Sequence, residues 1–417
     1  MIDAFIKFEE CINNCLLSRL AKPSHDNDYH SEYEIRNNKL EQYFPKLLDS
    51  VENVDFREQP EICSSTLYSL LILYMELKTE GPWNAVNIRA KNYPEKLNLT
   101  FQTKYKITFE EILLEDNFVK AQKVFDKCIR ELHQKMTIDD FKKYPGLVEV
   151  YCLIIKNVQN YNVAINPVAI LPVALLLVDD YVTSNKIKGM QCCVQILECS
   201  NSDNFKTGNY YEVVYMSLKK NIYEKDIEVT KALFECFPVF LKKLPIQVKK
   251  IKLDDVFSSV IDQLNTETNL YRKAVCFDFT TKILEMHGTH CVKKKIFKDI
   301  ICDNLDMCCT EGVYEILIEH VLECFVMWIK YSWCIWKLPT DQKLLSALIK
   351  TLYVAKDDTT IVQIQNLILT IIHLCTKEEQ KGISSIHSTI DRIIVSHQAS
   401  YCLQANLLQC KKYNRAY

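Results

Sequence analysis

The chain has 417 residues, 48% of them hydrophobic and 25% charged, with a formal net charge of −2. These values exclude a disordered chain, and the lack of a basic excess argues against a nucleic-acid binder. Only 7 glycines and 11 prolines occur, too few for the tight turns of a sheet-rich fold, so the composition points to helices.

In chain order, the first helical pattern covers residues 2–20, with Phe5, Ile6, Phe8, Ile12, Leu16 and Leu17 at helical spacing and Asp3 placed as a cap. The polar segment Lys22–Asp28 reads as an exposed loop. Helical patterns return at 32–53 and 61–77. Residues 79–107, which hold Gly81, Pro82 and Pro94, show no sustained period and read as an irregular connection. They place a boundary between an N-terminal helical region, 1–107, and a repeat array, 108–417. A helix over 108–135 is expected to open with Thr108-Phe109-Glu110-Glu111, a capping-box pattern. After the break at Tyr144-Pro145-Gly146, helices are expected near 147–160 and 165–180.

From there the polar breaks become regular. They fall at Asp179-Asp180, Glu224-Lys225-Asp226, Thr266-Glu267-Thr268, Thr310-Glu311 and Asp357-Asp358. Counted at residues 180, 226, 268, 311 and 357, the gaps are 46, 42, 43 and 46 residues, and each break precedes an amphipathic run. Two helices per 40–47 residues is the period of HEAT and armadillo repeats, so the expected fold is an all-α solenoid of antiparallel helix pairs. Acids and hydroxyls at each break are expected to cap the helix that follows. Gly189, inside one such helix, marks a close helix–helix approach, because glycine costs a helix about 1 kcal/mol relative to alanine.

The 19 cysteines include no C-x-x-C spacing and read as reduced core residues, which points to cytosol or nucleus. The start of the chain is acidic where a signal peptide would be basic. The longest apolar stretch, Val163–Val178, is interrupted by Asn166, Pro167 and Pro172 and is too short to span a bilayer.

Few constellations carry chemistry. Asp179 and Asp180 are neighbours that point in different directions, and no third ligand shares a face with them. His287, His290 and Cys291, with Cys302, Cys308 and Cys309 downstream, outline a zinc site without the paired short spacing such sites use. Phosphate-binding glycine loops and serine-nucleophile elbows are absent from the sequence. The basic runs Lys249-Lys250-Ile251-Lys252 and Lys293-Lys294-Lys295 read as solvated turns. Trp328, Trp333 and Trp336 spread over more than one helix face, so burial between repeats and an exposed anchor for a partner protein both stand open for them.

The block Leu171-Pro172-Val173-Ala174-Leu175-Leu176-Leu177-Val178-Asp179-Asp180-Tyr181, continued by Asn185-Lys186-Ile187-Lys188-Gly189, resembles the signature of the Tel-two-interacting protein two family. The likeness extends through Tyr211–Tyr215, Asn221–Tyr223 and Leu233–Pro238, about 75 residues in all. Leu171, Pro172, Asp179, Asp180, Lys186 and Gly189 are its marker positions, and their part is read as mainly structural. The resemblance implies an α-solenoid without enzymatic activity or cofactor, working in a hetero-oligomer. It implies the TTT co-chaperone complex with Tel two and Tel-two-interacting protein one. That complex supports phosphatidylinositol-3-kinase-like kinases (mTOR, ATM, ATR) together with the ninety-kilodalton heat-shock chaperone, in cytoplasm and nucleus, with no nucleic acid or membrane partner. The alternatives are another HEAT-repeat adaptor, such as a transport receptor or phosphatase scaffold, and a metalloenzyme built on His287 and His290.

Overall fold

The computed structural model describes residues 2–25, 28–57, 60–84, 91–201, 209–381 and 383. Among them every regular element is a helix. The chain divides into two compact units, one of Met1–Asn221 with Glu235–Leu244, the other of Ile222–Phe234 with Pro245–Tyr417. Residues 1–107 and 108–221 therefore fall in the same unit.

The first unit opens with α1 (Ile2–Cys15), α2 (Ser31–Asn53), α3 (Pro60–Lys78) and α4 (Tyr93–Tyr105). The expected irregular connection at 79–107 thus contains a helix. Tyr93, Leu97, Phe101 and Tyr105 are buried at four-residue spacing along it, and Pro94 sits in its first turn, where a missing N–H costs nothing. The capping box at Thr108 is real: Thr108 N donates to Glu111 Oε2 at 2.6 Å, and Glu111 N donates to Thr108 Oγ1 at 3.3 Å. The helix it opens is one turn, α5 (Glu111–Leu114), and the expected continuous helix to 135 restarts as α6 (Ala121–Lys135). Asp116 Oδ1 accepts from Ala121 N at 2.9 Å and stabilises the break. The unit continues with α7 (Pro145–Lys156), α8 (Pro167–Val178), α9 (Thr183–Cys199) and α10 (Tyr210–Lys220).

An aromatic chain fills the core of this region. Phe8 and Phe56 have ring centroids 5.9 Å apart, Phe56 and Tyr105 5.3 Å, Phe101 and Phe109 4.2 Å, and Phe109 and Tyr74 4.6 Å. Beside it lies a buried ion pair that no sequence pattern announces. Arg36 Nη2 meets Glu76 Oε1 at 2.7 Å, and the two side chains are 1% and 0% exposed. Arg36 also donates to Cys15 O, Trp83 O and Asn84 Oδ1, while Leu17 N donates to Glu76 Oε1 at 2.9 Å. Gly146 opens α7 against this carboxylate, where a Cβ would stand 2.9 Å from Glu76 Oε2.

Then follow α11 (Ile227–Lys243), α12 (Ile246–Thr266), α13 (Leu270–His287), α14 (Ile296–Met307), α15 (Glu311–Ser332), α16 (Leu338–Val354) and α17 (Asp358–Leu374). The second helices of the pairs, α9, α11, α13, α15 and α17, start at residues 183, 227, 270, 311 and 358. Each start falls within or just after one of the five polar breaks, and successive starts are 44, 43, 41 and 47 residues apart. Within the second unit, contacts recur at that same spacing. Phe234 stacks on Phe279 at 4.0 Å, Arg272 Nε donates to Thr230 Oγ1 at 3.1 Å, and Tyr314 Oη donates to Asp357 Oδ2 at 3.0 Å. His320 Nδ1 meets Asp278 at 2.5 Å, Lys343 meets Asp303 at 2.5 Å, and Lys350 meets Asp306 at 3.0 Å.

The capping expectation is met at some breaks and not at others. Asp226 Oδ1 accepts from Val229 N at 3.0 Å and Asp357 Oδ1 from Thr360 N at 2.7 Å, each at the start of the following helix. At the third break the cap is Asn269, which accepts from Arg272 N at 3.2 Å. Glu267 instead receives the Arg272 guanidinium and Lys225. Thr310 makes no side-chain cap bond.

Three outcomes follow for stability. Glu76→Ala strands the Arg36 guanidinium in the core and should cost about 3–5 kcal/mol in chemical denaturation. Burial raises the Glu267 carboxyl, but the Asn269 N–H, Arg272 and Lys225 outweigh it and hold the group at about 2, against 4.5 ordinarily. Its contribution is present above pH 4.5 and should fade as pH drops toward 2, a loss that Glu267→Gln removes from the pH–stability curve. His320 is raised above its usual 6.5, chiefly by its hydrogen bond to Asp278. That contribution is full below the usual value and should disappear as pH rises through the raised one, a step that His320→Gln abolishes.

Candidate functional site

The signature block forms the α8–α9 turn in the first unit. Asn166 caps α8 by accepting from Val168 N at 3.1 Å, and Pro167 occupies its first turn. Leu171 is buried, whereas Pro172 lies on the exposed face of the helix. The two aspartates diverge. Asp179, the C-cap of α8, accepts from Ser217 Oγ at 2.8 Å and pairs with Lys220 Nζ at 3.0 Å, which ties the turn to α10. Asp180 is buried and pairs with Lys142 Nζ at 2.6 Å, while its oxygens accept from Tyr181 N and Asn185 Nδ2, each at 2.7 Å. It does not cap α9, whose N-cap is Val182 and lacks a side-chain bond. Its negative charge is directed to a lysine 38 residues earlier in sequence, not to the helix N–H groups.

Lys186 Nζ donates to Asn221 Oδ1 at 3.0 Å, and Asn221 Nδ2 reaches Val178 O at 3.4 Å, a second tie to the end of α10. Lys188 pairs with Glu149 of α7 at 2.5 Å. Gly189 is the point of closest approach: a Cβ there would stand 2.5 Å from Val178 N and 2.8 Å from Ala174 O. The backbones of α8 and α9 therefore touch without a side chain between them. Lys142 also lies over the Tyr181 ring, 3.4 Å from its centroid, and Tyr181 remains 69% exposed. A cavity of about 370 Å³ opens beside this turn, lined in part by Trp83, Phe141, Lys142, Asn185 and Lys188. Lys142 and Glu149 are members of this arrangement that the sequence does not flag, since each lies nearly 40 residues from its partner, and Asn221, which the resemblance includes, gives no sign in the sequence of its bond to Lys186.

The three tryptophans separate sharply. Trp328 is 1% exposed and Trp336 5% exposed, with Trp336 Nε1 donating to Ile371 O at 3.2 Å. Both belong to the core, which removes them as partner-binding anchors. Trp333 is 57% exposed and borders an open apolar groove of about 600 Å³, with Val326 and Ile329 of α15 and Leu367 and Leu374 of α17.

Thiol and imidazole chemistry fares differently from what the residue counts allow. Burial pushes Cys193, Cys302, Cys308 and Cys324 up to about 12, so they stay protonated and unreactive near neutral pH. His287 is buried and lowered from 6.5 chiefly by that burial, and its ring centroid lies 6.3 Å from that of His290. The described residues contain no group of three or more His, Cys, Asp or Glu able to hold a metal ion. None of their helices is long and apolar enough to cross a membrane.

The turn itself is testable. Gly189→Ala should destabilise the chain by about 1–3 kcal/mol, because the added methyl meets backbone and not a movable side chain. Gly312→Ala in α15, where a Cβ meets nothing within 4 Å, should be neutral or stabilising by up to about 1 kcal/mol. Thermal unfolding of the two variants checks both, and equal behaviour would contradict the close approach.

Known proteins resemble this chain in sequence over part of its length and in fold over nearly all of it. TELO2-interacting protein 2 of Rattus norvegicus is 26% identical over 140 residues, 32% of this chain and 27% of the relative. TELO2-interacting protein 2 of Mus musculus is 30% identical over 110 residues, 25% of this chain and 22% of the relative. The match thus spans about a quarter of the length of these relatives. No family model matches the chain. Among solved structures, a chain of "Kap95p Binding Induces the Switch Loops of RanGDP to adopt the GTP-bound Conformation: Implications for Nuclear Import Complex Assembly Dynamics" superposes with a TM-score of 0.53. It covers 93% of this chain and 50% of that one at 12% identity, a likeness of fold alone. The fold is therefore an all-α, HEAT-like solenoid, and the resemblance to the Tel-two-interacting protein two family is borne out by the rat and mouse relatives.

Proposed function

We propose that this chain is a non-enzymatic scaffold subunit of the TTT co-chaperone complex. In this reading it binds Tel-two-interacting protein one and Tel two, and through them supports the maturation of phosphatidylinositol-3-kinase-like kinases with the ninety-kilodalton heat-shock chaperone, in cytoplasm and nucleus. The observation that carries the reading is the similarity to TELO2-interacting protein 2. The structure supports it through what the site is made of. In the signature turn Asp179, Asp180, Lys186 and Lys188 all bond to groups of the chain itself, as charged residues with a structural part in a scaffold would. Stacked helix pairs present long continuous surfaces, and such surfaces serve protein binding. Trp333, with the groove it borders, is the aromatic anchor we assign to a partner protein.

Affinity purification of the tagged chain with mass spectrometry tests the reading. Recovery of Tel two and Tel-two-interacting protein one is expected, and acute depletion should lower the protein level of several of these kinases while their transcripts persist. Recovery of import cargo or phosphatase subunits in their place would favour another HEAT adaptor, and unchanged kinase levels after complete loss would refute the proposal. Trp333→Ala should weaken partner recovery without lowering the melting temperature, whereas Trp328→Ala should lower it through the loss of about 3–5 kcal/mol of core packing.

A further inference from the structure

Two cysteines far apart in sequence form a pair in the first unit. Cys152 lies in α7 and Cys192 in α9, and both are free thiols in the structure. Glu149 of α7 meets Lys188 of α9 at 2.5 Å. Cys152 follows Glu149 by three positions and Cys192 follows Lys188 by four, so each cysteine stands one turn beyond the ion pair on the same face of its helix. In that register the two side chains touch. Cys192 and Cys152 are hydrogen-bonded thiol to thiol, and this bond, ahead of burial, pushes the Cys192 thiol well above its ordinary range.

Access differs between the two sulfurs. Cys152 is half-buried, whereas Cys192 is 3% exposed. A cavity of about 630 Å³ opens over them, with Glu149, Cys152, Lys156, Lys188 and Cys192 among its lining residues. A small solute entering the cavity therefore meets Cys152 as the more open sulfur, with a second thiol already against it. Other cysteines lack one half of this arrangement. Cys193 and Cys236, also in the first unit, are fully buried, and the half-buried Cys309 of the second unit donates to Leu305 O, not to a thiol.

We propose that Cys152 and Cys192 are an oxidative modification site, a dithiol that a hydroperoxide converts into a disulfide. The Cys152 sulfur attacks the terminal peroxide oxygen and becomes a sulfenic acid; with hydrogen peroxide, the O–O bond breaks and one water leaves. The Cys192 sulfur then attacks the Cys152 sulfur, the S–O bond breaks, and the thiol proton leaves with the hydroxyl as a second water. Two thiols have lost two electrons and one peroxide has gained them. Contact between the sulfurs favours the second step over further oxidation of the sulfenic acid. The new bond joins α7 to α9 beside the Lys188–Glu149 pair and closes a loop that contains all of α8 and the α8–α9 turn. Such a closure restricts the unfolded chain, so oxidation stabilises the first unit. The inference goes beyond the scaffold reading and requires no partner protein.

The test uses the full chain, freed of reductant and treated with hydrogen peroxide at low molar excess. Remaining thiols are then alkylated, and the chain is digested without reduction and mapped by mass spectrometry. A linked pair of peptides carrying Cys152 and Cys192 is expected, at least about tenfold more abundant than from the same chain oxidised in urea, where proximity is lost. Dithiothreitol should release it. The melting temperature should rise by several degrees on oxidation and fall back on reduction. Cys192→Ser and, separately, the more conservative change at the half-buried position, Cys152→Ser, should abolish both the link and the shift, while Cys193→Ser should keep them. The proposal is overturned if the folded parent chain leaves Cys152 as a free thiol or carries it on to a sulfinic acid. It is equally overturned if Cys152 joins another cysteine, or if the link forms no more readily in the folded chain than in urea.

Discussion

Each helix pair in the repeat array carries apolar surface that its own two helices cannot cover, and the neighbouring pair covers it. That constraint organises the second unit. Phe234 lies flat on Phe279 one repeat away, and the buried faces of α13, α15 and α17 follow from the same need. Apolar contact supplies most of the driving force but has no direction. Direction comes from polar bonds at the same one-repeat spacing, such as Arg272 to Thr230 and Tyr314 to Asp357. The exposed ion pairs beside them add little free energy each, so they matter for alignment more than for stability.

The first unit is held differently. Its helices are gathered on an aromatic chain running from Phe8 to Tyr74 and on one buried ion pair, Arg36 with Glu76. A charge pair taken from water is costly unless its remaining donors and acceptors are met. Here the guanidinium reaches Cys15 O, Trp83 O and Asn84 as well as Glu76, so four stretches of chain must arrive together before the burial is compensated. The signature turn follows the same logic, with Asp180 turned inward to Lys142 and the backbones pressed together at Gly189.

Local signals were legible in the sequence. The capping box at Thr108 is read from residues three positions apart, Gly189 from its type within a helical pattern, and the helix-pair period from the recurrence of local polar breaks, and the structure shows each of them. Misreadings arose where a local sign has two meanings. Pro94 reads as a breaker, yet it occupies a first helical turn, and so α4 went unseen. Asp180 has the residue type of a helix cap, but a lysine far away in sequence competes for it and wins. Trp328, Trp333 and Trp336 look equivalent in sequence, and only the packing of α15 and α17 separates two core residues from one exposed residue. Partners such as Arg36 with Glu76, 40 residues apart, leave no periodic trace at all.

The one-repeat spacing of the polar bonds has a consequence for how such a chain can change over evolutionary time. Removing one whole helix pair would bring the next pair's donors and acceptors into equivalent positions, so the seam can close again with new but chemically similar partners. Removing a single helix would place first helices where second helices belong and leave groups such as the Arg272 guanidinium facing an apolar wall. Length in this architecture is therefore gained and lost in steps of about 40–47 residues.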